Sequence, residues 1–241
     1  MTDAFPNAVS VVALAPLVAL VGALVNGLFG RGMREPLAGV LASAAVAVAF
    51  VLSFVAFVAY PAGGDGYRYV FAEFLSAGEL TVDLGFLIDQ LSLVMCLVIT
   101  GVGFLIHVYS IGYMKGDPGH ARYFAQLNLF VAAMLVLVLA DSFPLMFVGW
   151  EGVGVCSFLL IGFWYEQRAN ADAARKAFIV NRVGDVGFLV AMFLTFKVFG
   201  TLDVSAVRAA APAMAYGAPA LTAIGLLLLV AAAGKSAQLP L

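Results

Sequence analysis

The sequence predicts an all-α membrane protein, a polytopic bundle of about seven transmembrane helices, from three observations. First, 64% of the 241 residues are hydrophobic and only 11% are charged, against roughly a half and a quarter in ordinary globular domains. Second, the apolar residues fall into runs long enough to cross about 30 Å of hydrocarbon. Third, the loops between these runs alternate in charge. A soluble core of this length could not bury so much apolar surface, so the chain is predicted to be integral to a membrane.

The apolar runs define the predicted spans, and the polar segment between the second and third defines a flap. Leu80, Val82 and Leu84 alternate with other residues there, which predicts short strands or an extended conformation. The flap occupies residues 61–90, and its part from 71 to 90 is too polar to span. The predicted spans are residues 9–29, 37–60, 91–112, 124–139, 143–164, 173–199 and 219–235.

Loop charges predict the orientation, because cytoplasmic loops of membrane proteins are enriched in Lys and Arg. The opposite loops should face outward, so the flap and the N-terminus are predicted to lie outside. The basic set of loops carries Arg31, Arg34, Lys115, Arg122, Arg168, Arg175 and Lys176. The opposite set carries Arg68, Arg208, Asp65, Glu73, Glu79 and Asp83.

Composition and motifs exclude several other classes of protein. A net charge of −2 gives no electrostatic basis for binding nucleic acid. No His, Cys and carboxylate cluster has the spacing of a metal site, and no glycine-rich phosphate loop or nucleophile motif occurs. Cys96 and Cys156 lie in apolar runs and are predicted to be buried small hydrophobes. We therefore expect no metal, no cofactor and no covalent chemistry in this chain.

Four charged residues lie well inside the predicted spans, namely Glu151, Arg182, Asp185 and Lys235. A charge at mid-bilayer on an isolated helix costs at least about 2.5–3.5 kcal/mol, so such groups face protein or water and have partners. Glu151 comes ten residues after Asp141, which places it about 15 Å into its helix. The glycines around it in FVGWEGVG allow a neighbouring helix to approach closely. Glu151 is therefore either half of a permanent buried ion pair or a group that exchanges protons.

The other charges also permit a structural and a functional role. Arg182 and Asp185 are three residues apart and can pair on one helix face, either as a clamp or as a modulator of nearby charge. Pro240 predicts a helix break just after Lys235. A lysine beside such a break is typical of transporter helices, whereas a lysine ending a helix at the interface is ordinary. His107 lies in the third span, where a lone histidine usually makes a structural hydrogen bond. A role in proton relay is the weaker alternative.

Three stretches, in the same order, resemble the antiporter-like L subunits of respiratory complex I, the proton-pumping NADH:quinone oxidoreductase. They are VLADSFPLMFVGWEGVGVCSFLLIGFWY, KAFIVNRVGDVGF and GKSAQLPL. The segment LIDQLSLVMCLVITGVGFLIHVYSIGYM resembles the region that precedes them. The resemblance covers residues 81–241, with weaker agreement in the first two helices. The A subunit of Mrp-type sodium/proton antiporters is a related and less close match.

The resemblance implies a role for each buried charge. Glu151 matches the glutamate of the family's fifth helix, and Lys235 matches the lysine of its broken seventh helix. Arg182 and Asp185 match the basic and acidic residues of the sixth. The Glu–Lys pair would couple proton uptake to charge changes along the membrane arm, with sodium as an alternative ion. Redox energy would enter in partner subunits that carry the flavin and iron–sulfur clusters.

The resemblance also implies that this chain is the N-terminal part of a longer subunit in a bacterial inner (plasma) membrane. Residues 1–112 would form helices 1–3 with the flap, and residues 113–241 an incomplete first antiporter-like repeat with helices 4–7. Lipid and other membrane-arm subunits would be its partners. Two other functions remain open. A cation/proton antiporter subunit would use the same two residues, whereas a non-pumping scaffold has no use for both at membrane depth.

Overall fold

The computed structural model describes residues 8–61, 63–64, 66–78 and 80–239. Within these residues, seven helices are long and apolar enough to cross a membrane, so the predicted number of spans is confirmed. The first span has a 3-10 turn at each end, and a short helix, α7, lies between the last two spans. The helices are α1 (Ala15–Phe29), α2 (Glu35–Ala59), α3 (Gln90–Tyr113), α4 (His120–Leu139), α5 (Phe143–Ile161), α6 (Arg168–Phe199), α7 (Val204–Ala210) and α8 (Pro219–Ser236).

The predicted flap contains two paired strands, β1 (Tyr67–Ala77) and β2 (Leu80–Ile88). Only two residues separate them, so the pairing is antiparallel, because a parallel connection needs a dozen or more. Gly78 follows β1 with φ of +64°, a conformation that glycine adopts without steric cost. The strand prediction is therefore confirmed. Asp65 and Glu79, which contributed to the predicted acidic side, lie outside the described residues.

The described residues fall into two compact units, one within residues 1–69 and 86–139 and the other within residues 70–85 and 140–241. In the first unit, α1 packs against α2 and α4, and α3 also packs against both of these helices. In the second unit, α6 packs against α5 and α8. The assignment of residues 113–241 to an antiporter-like repeat is a statement about ancestry and stays a prediction.

In the second unit, backbone hydrogen bonds tie together the segments that precede α5 and α7. The amide of Asp141 donates to Gly85 O of β2 at 3.1 Å, and its carbonyl accepts from Val204 N at 2.9 Å. Asp203 caps the N-terminus of α7 through its side chain. Helix α7 was not predicted from the sequence, because its seven residues contain no long apolar run.

Glycines let α6 and α8 approach to backbone contact. A Cβ added to Gly234 would lie 2.9 Å from Gly184 Cα, and one added to Gly187 would lie 2.9 Å from Leu227 O. Small residues at such positions are a common basis of helix association in membranes. Because Asp185 follows Gly184 and Lys235 follows Gly234, this close approach also brings the two charges near each other.

Helix α8 ends one residue after Lys235. Ala237 has a left-handed conformation, with φ of 50°, which is uncommon for a residue other than glycine. The amide of Gln238 donates to Ala233 O at 3.2 Å, as in the Schellman motif that closes many helices. The helix therefore stops where the sequence predicts a break, while Pro240 lies outside the described residues.

Candidate functional site: a buried charge network

Three helices of the second unit bring together the four charges found in the sequence, which we call the charge network: Glu151, Arg182, Asp185 and Lys235. Arg182 Nη1 lies 2.5 Å from Glu151 Oε1 and 3.5 Å from Asp185 Oδ2. Lys235 Nζ lies 3.8 Å from Asp185 Oδ1. The charges therefore alternate in sign from α5 across α6 to α8, and their formal sum is zero.

The pairing differs from the simplest expectation, a direct contact between Glu151 and Lys235. Among the ion pairs of the described residues, Glu151 pairs with Arg182 and Lys235 with Asp185. Helix α6 supplies both intermediate partners from positions three residues apart, so the predicted local Arg182–Asp185 pair exists as well. Glu151 and Lys235 are therefore connected through α6 and not by an ion pair of their own.

Asp185 is the most deeply buried member, with only 2% of its side chain exposed. The indole Nε1–H of Trp150 donates to its Oδ1 at 2.7 Å. Trp150 precedes Glu151 on α5, so one short stretch of this helix contacts both charges of α6. Trp150 was not among the site residues predicted from the sequence. An aromatic residue in an apolar run does not by itself indicate a functional site. A buried indole N–H does need a hydrogen-bond acceptor, however, and this need was the available signal.

Lys235 is buried more than lysines usually are, with 16% of its side chain exposed. Its Nζ makes no hydrogen bond to any of the described residues, since Asp185 Oδ1 is beyond hydrogen-bonding distance. The ammonium lies 5.5 Å from the centroid of the Trp150 ring, within the range of a cation–π contact. A Cβ added to Gly154 would lie 2.5 Å from Nζ. The absence of a side chain at Gly154 thus leaves the slot that the ammonium occupies.

The Arg182 end of the charge network is more accessible than the Lys235 end. In this chain 45% of the Arg182 side chain and 24% of the Glu151 side chain are exposed. The Arg182 guanidinium also lies 4.8 Å from the centroid of the Phe178 ring. The charge network thus runs from a partly accessible Arg–Glu pair to an almost fully enclosed Asp–Lys pair.

His107, the fifth candidate, lies in the first unit and is not part of the charge network. It is fully buried on α3, and its ring nitrogens contact Gly103 O and Asn128 Oδ1, both at 2.7 Å. The structural hydrogen bond predicted for it is therefore present. Its partner Asn128 was overlooked, although an asparagine in the apolar run of α4 is a recognisable signal.

The fold and the site define the class of protein. Seven apolar helices make the chain an integral membrane protein. Ionisable residues inside membrane helices are rare, pair with one another and mark ion or proton pathways. Each of the four members of the charge network lies inside a membrane-spanning helix and has a partner of opposite sign.

Comparison with known proteins identifies the family. Residues 74–124 match the family described as NADH-ubiquinone oxidoreductase (complex I), chain 5 N-terminus, and residues 140–241 match the family described as NADH:quinone oxidoreductase/Mrp antiporter, TM. The second match contains the whole charge network. The chain belongs to this NADH:quinone oxidoreductase/Mrp antiporter family of membrane proteins.

Individual relatives agree with this assignment. NADH-quinone oxidoreductase subunit L of Mycobacterium tuberculosis is 51% identical over 219 residues, which are 89% of this chain and 34% of that protein. The subunit L of Escherichia coli is 43% identical over 235 residues, 96% of this chain and 38% of that protein. The chain thus spans about a third of the length of these relatives.

A solved structure gives the same fold. The Mrp complex from Dietzia sp. DQ12-45-1b aligns with a TM-score of 0.79 at 29% identity, over 95% of this chain and 24% of that one. The antiporter-like fold is therefore confirmed.

Proposed function

We propose that the chain is the N-terminal part of a proton-translocating membrane-arm subunit of NADH:quinone oxidoreductase, and that the charge network is part of its proton path. In this proposal the chain lies in the inner (plasma) membrane of a bacterium, with its N-terminus outside. Other membrane-arm subunits are its neighbours. Partner subunits hold the flavin and iron–sulfur clusters and carry out the oxidation of NADH by quinone. The 51% and 43% identical relatives named subunit L of this enzyme support the assignment.

The observation that carries the proposal is the alternating order of four charges across three membrane helices. A scaffold gains nothing from this arrangement, because buried ion pairs are often no more stable than well-packed apolar residues. Two features favour proton exchange over a permanent structural pair. The Lys235 ammonium has no hydrogen-bond partner among the described residues, and Arg182 lies within ion-pair distance of two carboxylates.

The order of the charges couples the two ends of the charge network. When Glu151 takes up a proton, it no longer attracts Arg182, whose remaining carboxylate partner in the charge network is Asp185. A closer Arg182–Asp185 pair offsets more of the negative charge on Asp185 and therefore weakens its hold on Lys235. Lys235 can then pass a proton on from Nζ. Proton uptake at α5 thus favours proton release at α8 without direct contact between the two residues.

The test is the variant Glu151→Gln in the complete subunit, assembled into the complex and reconstituted in proteoliposomes. Gln has nearly the same shape but cannot exchange a proton, so we expect NADH-driven acidification to fall severely while the complex still assembles. The matched control is Glu166→Gln, an exposed glutamate of the same unit. Normal pumping by a correctly assembled Glu151→Gln complex would refute the proposed role.

Lys235 is tested by comparing Lys235→Arg with Lys235→Ala. Arg keeps the positive charge but does not release a proton in proteins, so the proposal expects both variants to lose pumping to a similar extent. The same two changes at the exposed Lys197 on α6 serve as controls. Substantial pumping by Lys235→Arg alone would show that Lys235 supplies a fixed charge.

A second candidate function is a subunit of a cation/proton antiporter of the Mrp type. The fold similarity to the Dietzia Mrp complex over 95% of this chain favours it, and the charge network would serve that function equally well. The source of energy separates the two. A redox-driven pump acidifies vesicles when NADH and quinone are supplied, whereas an antiporter responds to an imposed sodium gradient without them.

A further inference from the structure

Between the charge network and the start of α5 lies a group of four aromatic side chains, which we call the aromatic cluster: Phe143, Phe147, Trp150 and Phe188. The ring centroid of Phe188 on α6 lies 5.3 Å from that of Phe147 and 5.4 Å from that of Trp150. The centroid of the Phe143 ring is slightly further away, at 6.5 Å. These separations are typical of aromatic rings in contact. The aromatic cluster is therefore centred on Phe188, with three rings of α5 around it.

The spacing of the three α5 rings places them on one face of their helix. Phe147 comes four residues after Phe143, and Trp150 comes three residues after Phe147, the spacing at which side chains line up along a helix. From the first ring to the last, the face extends about 10 Å along the helix axis. Phe188 is only 2% exposed, so its ring is enclosed almost completely between this face and its own helix.

Buried polar groups lie at both ends of the aromatic cluster. At one end, the indole N–H of Trp150 donates to Asp185 of the charge network. At the other end, Ser142 directly precedes Phe143 and is 3% exposed, and Asp141 before it is 1% exposed. The Oγ of Ser142 has no hydrogen-bond partner among the described residues. The aromatic cluster thus separates two buried polar regions of the second unit.

Between these two regions the helices carry no polar side chain. Residues 143–149 of α5, 186–194 of α6 and 223–234 of α8 are all apolar or glycine. The next polar residue of α6, Thr195, uses its hydroxyl to donate to Ala191 O within the same helix. A proton moves along water or other hydrogen-bonding groups, and close-packed apolar interiors have few voids that could hold water. The layer around Phe188 should therefore resist the passage of protons.

The opposite side of the charge network is more polar and more open. Asn181 precedes Arg182, 45% of whose side chain is exposed in this chain, and Ser236 follows Lys235. A proton path needs a barrier on one side, because a charge network open to both sides at once would let protons flow back and dissipate the gradient. The aromatic cluster has the composition and the position of such a barrier.

We infer that the aromatic cluster is a seal that stops protons from passing between the charge network and the Asp141–Ser142 end of α5, and that Phe188 is its central residue. Phe188 does not itself transfer a proton. Its ring occupies the space in which water molecules would otherwise form a conducting chain. The inference rests on the proposed function, because a seal matters only beside groups that exchange protons.

The test measures passive proton leak in proteoliposomes that contain the complete complex, with a pH gradient imposed and no NADH supplied. Phe188→Ser removes the ring and adds a hydroxyl group, so it provides both space and a hydrogen-bond partner for water. We expect the pH gradient to collapse several-fold faster than with the unaltered complex. Phe188→Leu keeps a large apolar side chain and should remain nearly as tight as the unaltered complex.

Two further variants distinguish a leak through the charge network from general damage to the fold. Phe193→Ser makes the same change on α6 at a side chain that is 65% exposed, and it should not leak. In the double variant Phe188→Ser with Glu151→Gln, the leak should fall back towards the unaltered rate, because Gln cannot exchange a proton. If Phe188→Ser prevents assembly, Phe147→Ser opens the aromatic cluster from α5 and carries the same expectations.

Three results would overturn the inference. A tight Phe188→Ser complex is the first. The second is a leak that persists in the double variant, since protons would then bypass the charge network. The third is an equal leak from Phe188→Leu, since loss of packing and not entry of water would then explain it. The proposed function fails by a different result, normal NADH-driven pumping by Glu151→Gln. A tight Phe188→Ser complex together with impaired pumping by Glu151→Gln would reject the seal alone.

Discussion

The slot at Gly154 provides the sharpest test of how Lys235 is positioned. The substitution Gly154→Ala adds one methyl group, and its carbon would lie 2.5 Å from Lys235 Nζ and 3.9 Å from Cε. Favourable contacts between carbon atoms begin at about 3.5 Å, so the ammonium has to move by about 1 Å. Because Nζ is the end of a flexible side chain, this movement costs little, and the fold should tolerate it.

The expected changes in stability and in activity therefore have opposite directions. Alanine is favoured over glycine inside a helix by about 1 kcal/mol, so the free energy of unfolding should stay the same or rise slightly. A displacement of about 1 Å can reduce a reaction that depends on geometry by about a hundredfold. For a single proton-transfer step among several, we expect NADH-driven pumping to fall clearly, but by less than this factor.

The assay compares Gly154→Ala with Gly225→Ala in the complete subunit. Gly225 is on α8, the helix that carries Lys235, and a Cβ there meets nothing within 4 Å. Pumping per NADH oxidised is measured in proteoliposomes, and thermal unfolding is followed on the purified complex. Unchanged pumping by Gly154→Ala would refute the idea that the slot positions the ammonium. A large loss of stability would show that the surroundings of Nζ are rigid and not adaptable.

Two further predictions concern hydrogen bonds that the structure shows. Trp150→Phe keeps an aromatic ring but removes the N–H that donates to Asp185 Oδ1, so proton pumping should fall while the complex still assembles. The control Trp164→Phe, outside the charge network, should leave pumping unchanged. Equal effects of the two substitutions would contradict a role of the Trp150 N–H in pumping. Asp89→Ala removes the capping box that Asp89 forms with Ser92 at the start of α3. The free energy of unfolding of the chain in detergent should therefore fall by about 1 kcal/mol. An unchanged unfolding transition would refute the contribution of the cap.

The membrane fold was largely predictable from the sequence, because each span is a long apolar run and hydropathy alone identifies it. The hairpin was predictable from alternation at Leu80, Val82 and Leu84. The short helix α7 was not, because its seven residues bury nothing and show no long periodic pattern. Its position depends on the Asp203 cap and on backbone bonds to distant segments, which a local pattern does not contain.

The members of the charge network were predictable and their pairing was not. Depth in an apolar run identifies a charge that needs a partner, and this criterion found all four. The choice of partner depends on how the helices are rotated and how closely they approach. In this chain the contact between Gly184 and Gly234 decides which residues pair. Asp185 and Lys235 each follow one of these glycines, so the contact places each of them beside the other helix.

Because α6 lies between α5 and α8, the protonation state of Glu151 can affect Lys235 only through the charges of α6. A direct pair has two states, formed and broken, and depends only on the distance between two side chains. In the charge network, Arg182 and Asp185 lie on the same helix, three residues apart, and each forms an ion pair with a different neighbouring helix. A proton that neutralises one carboxylate therefore changes the partner of a charge on the opposite side of α6. The three-residue spacing on this helix, and not a direct contact between Glu151 and Lys235, is what makes a response over this distance physically reasonable.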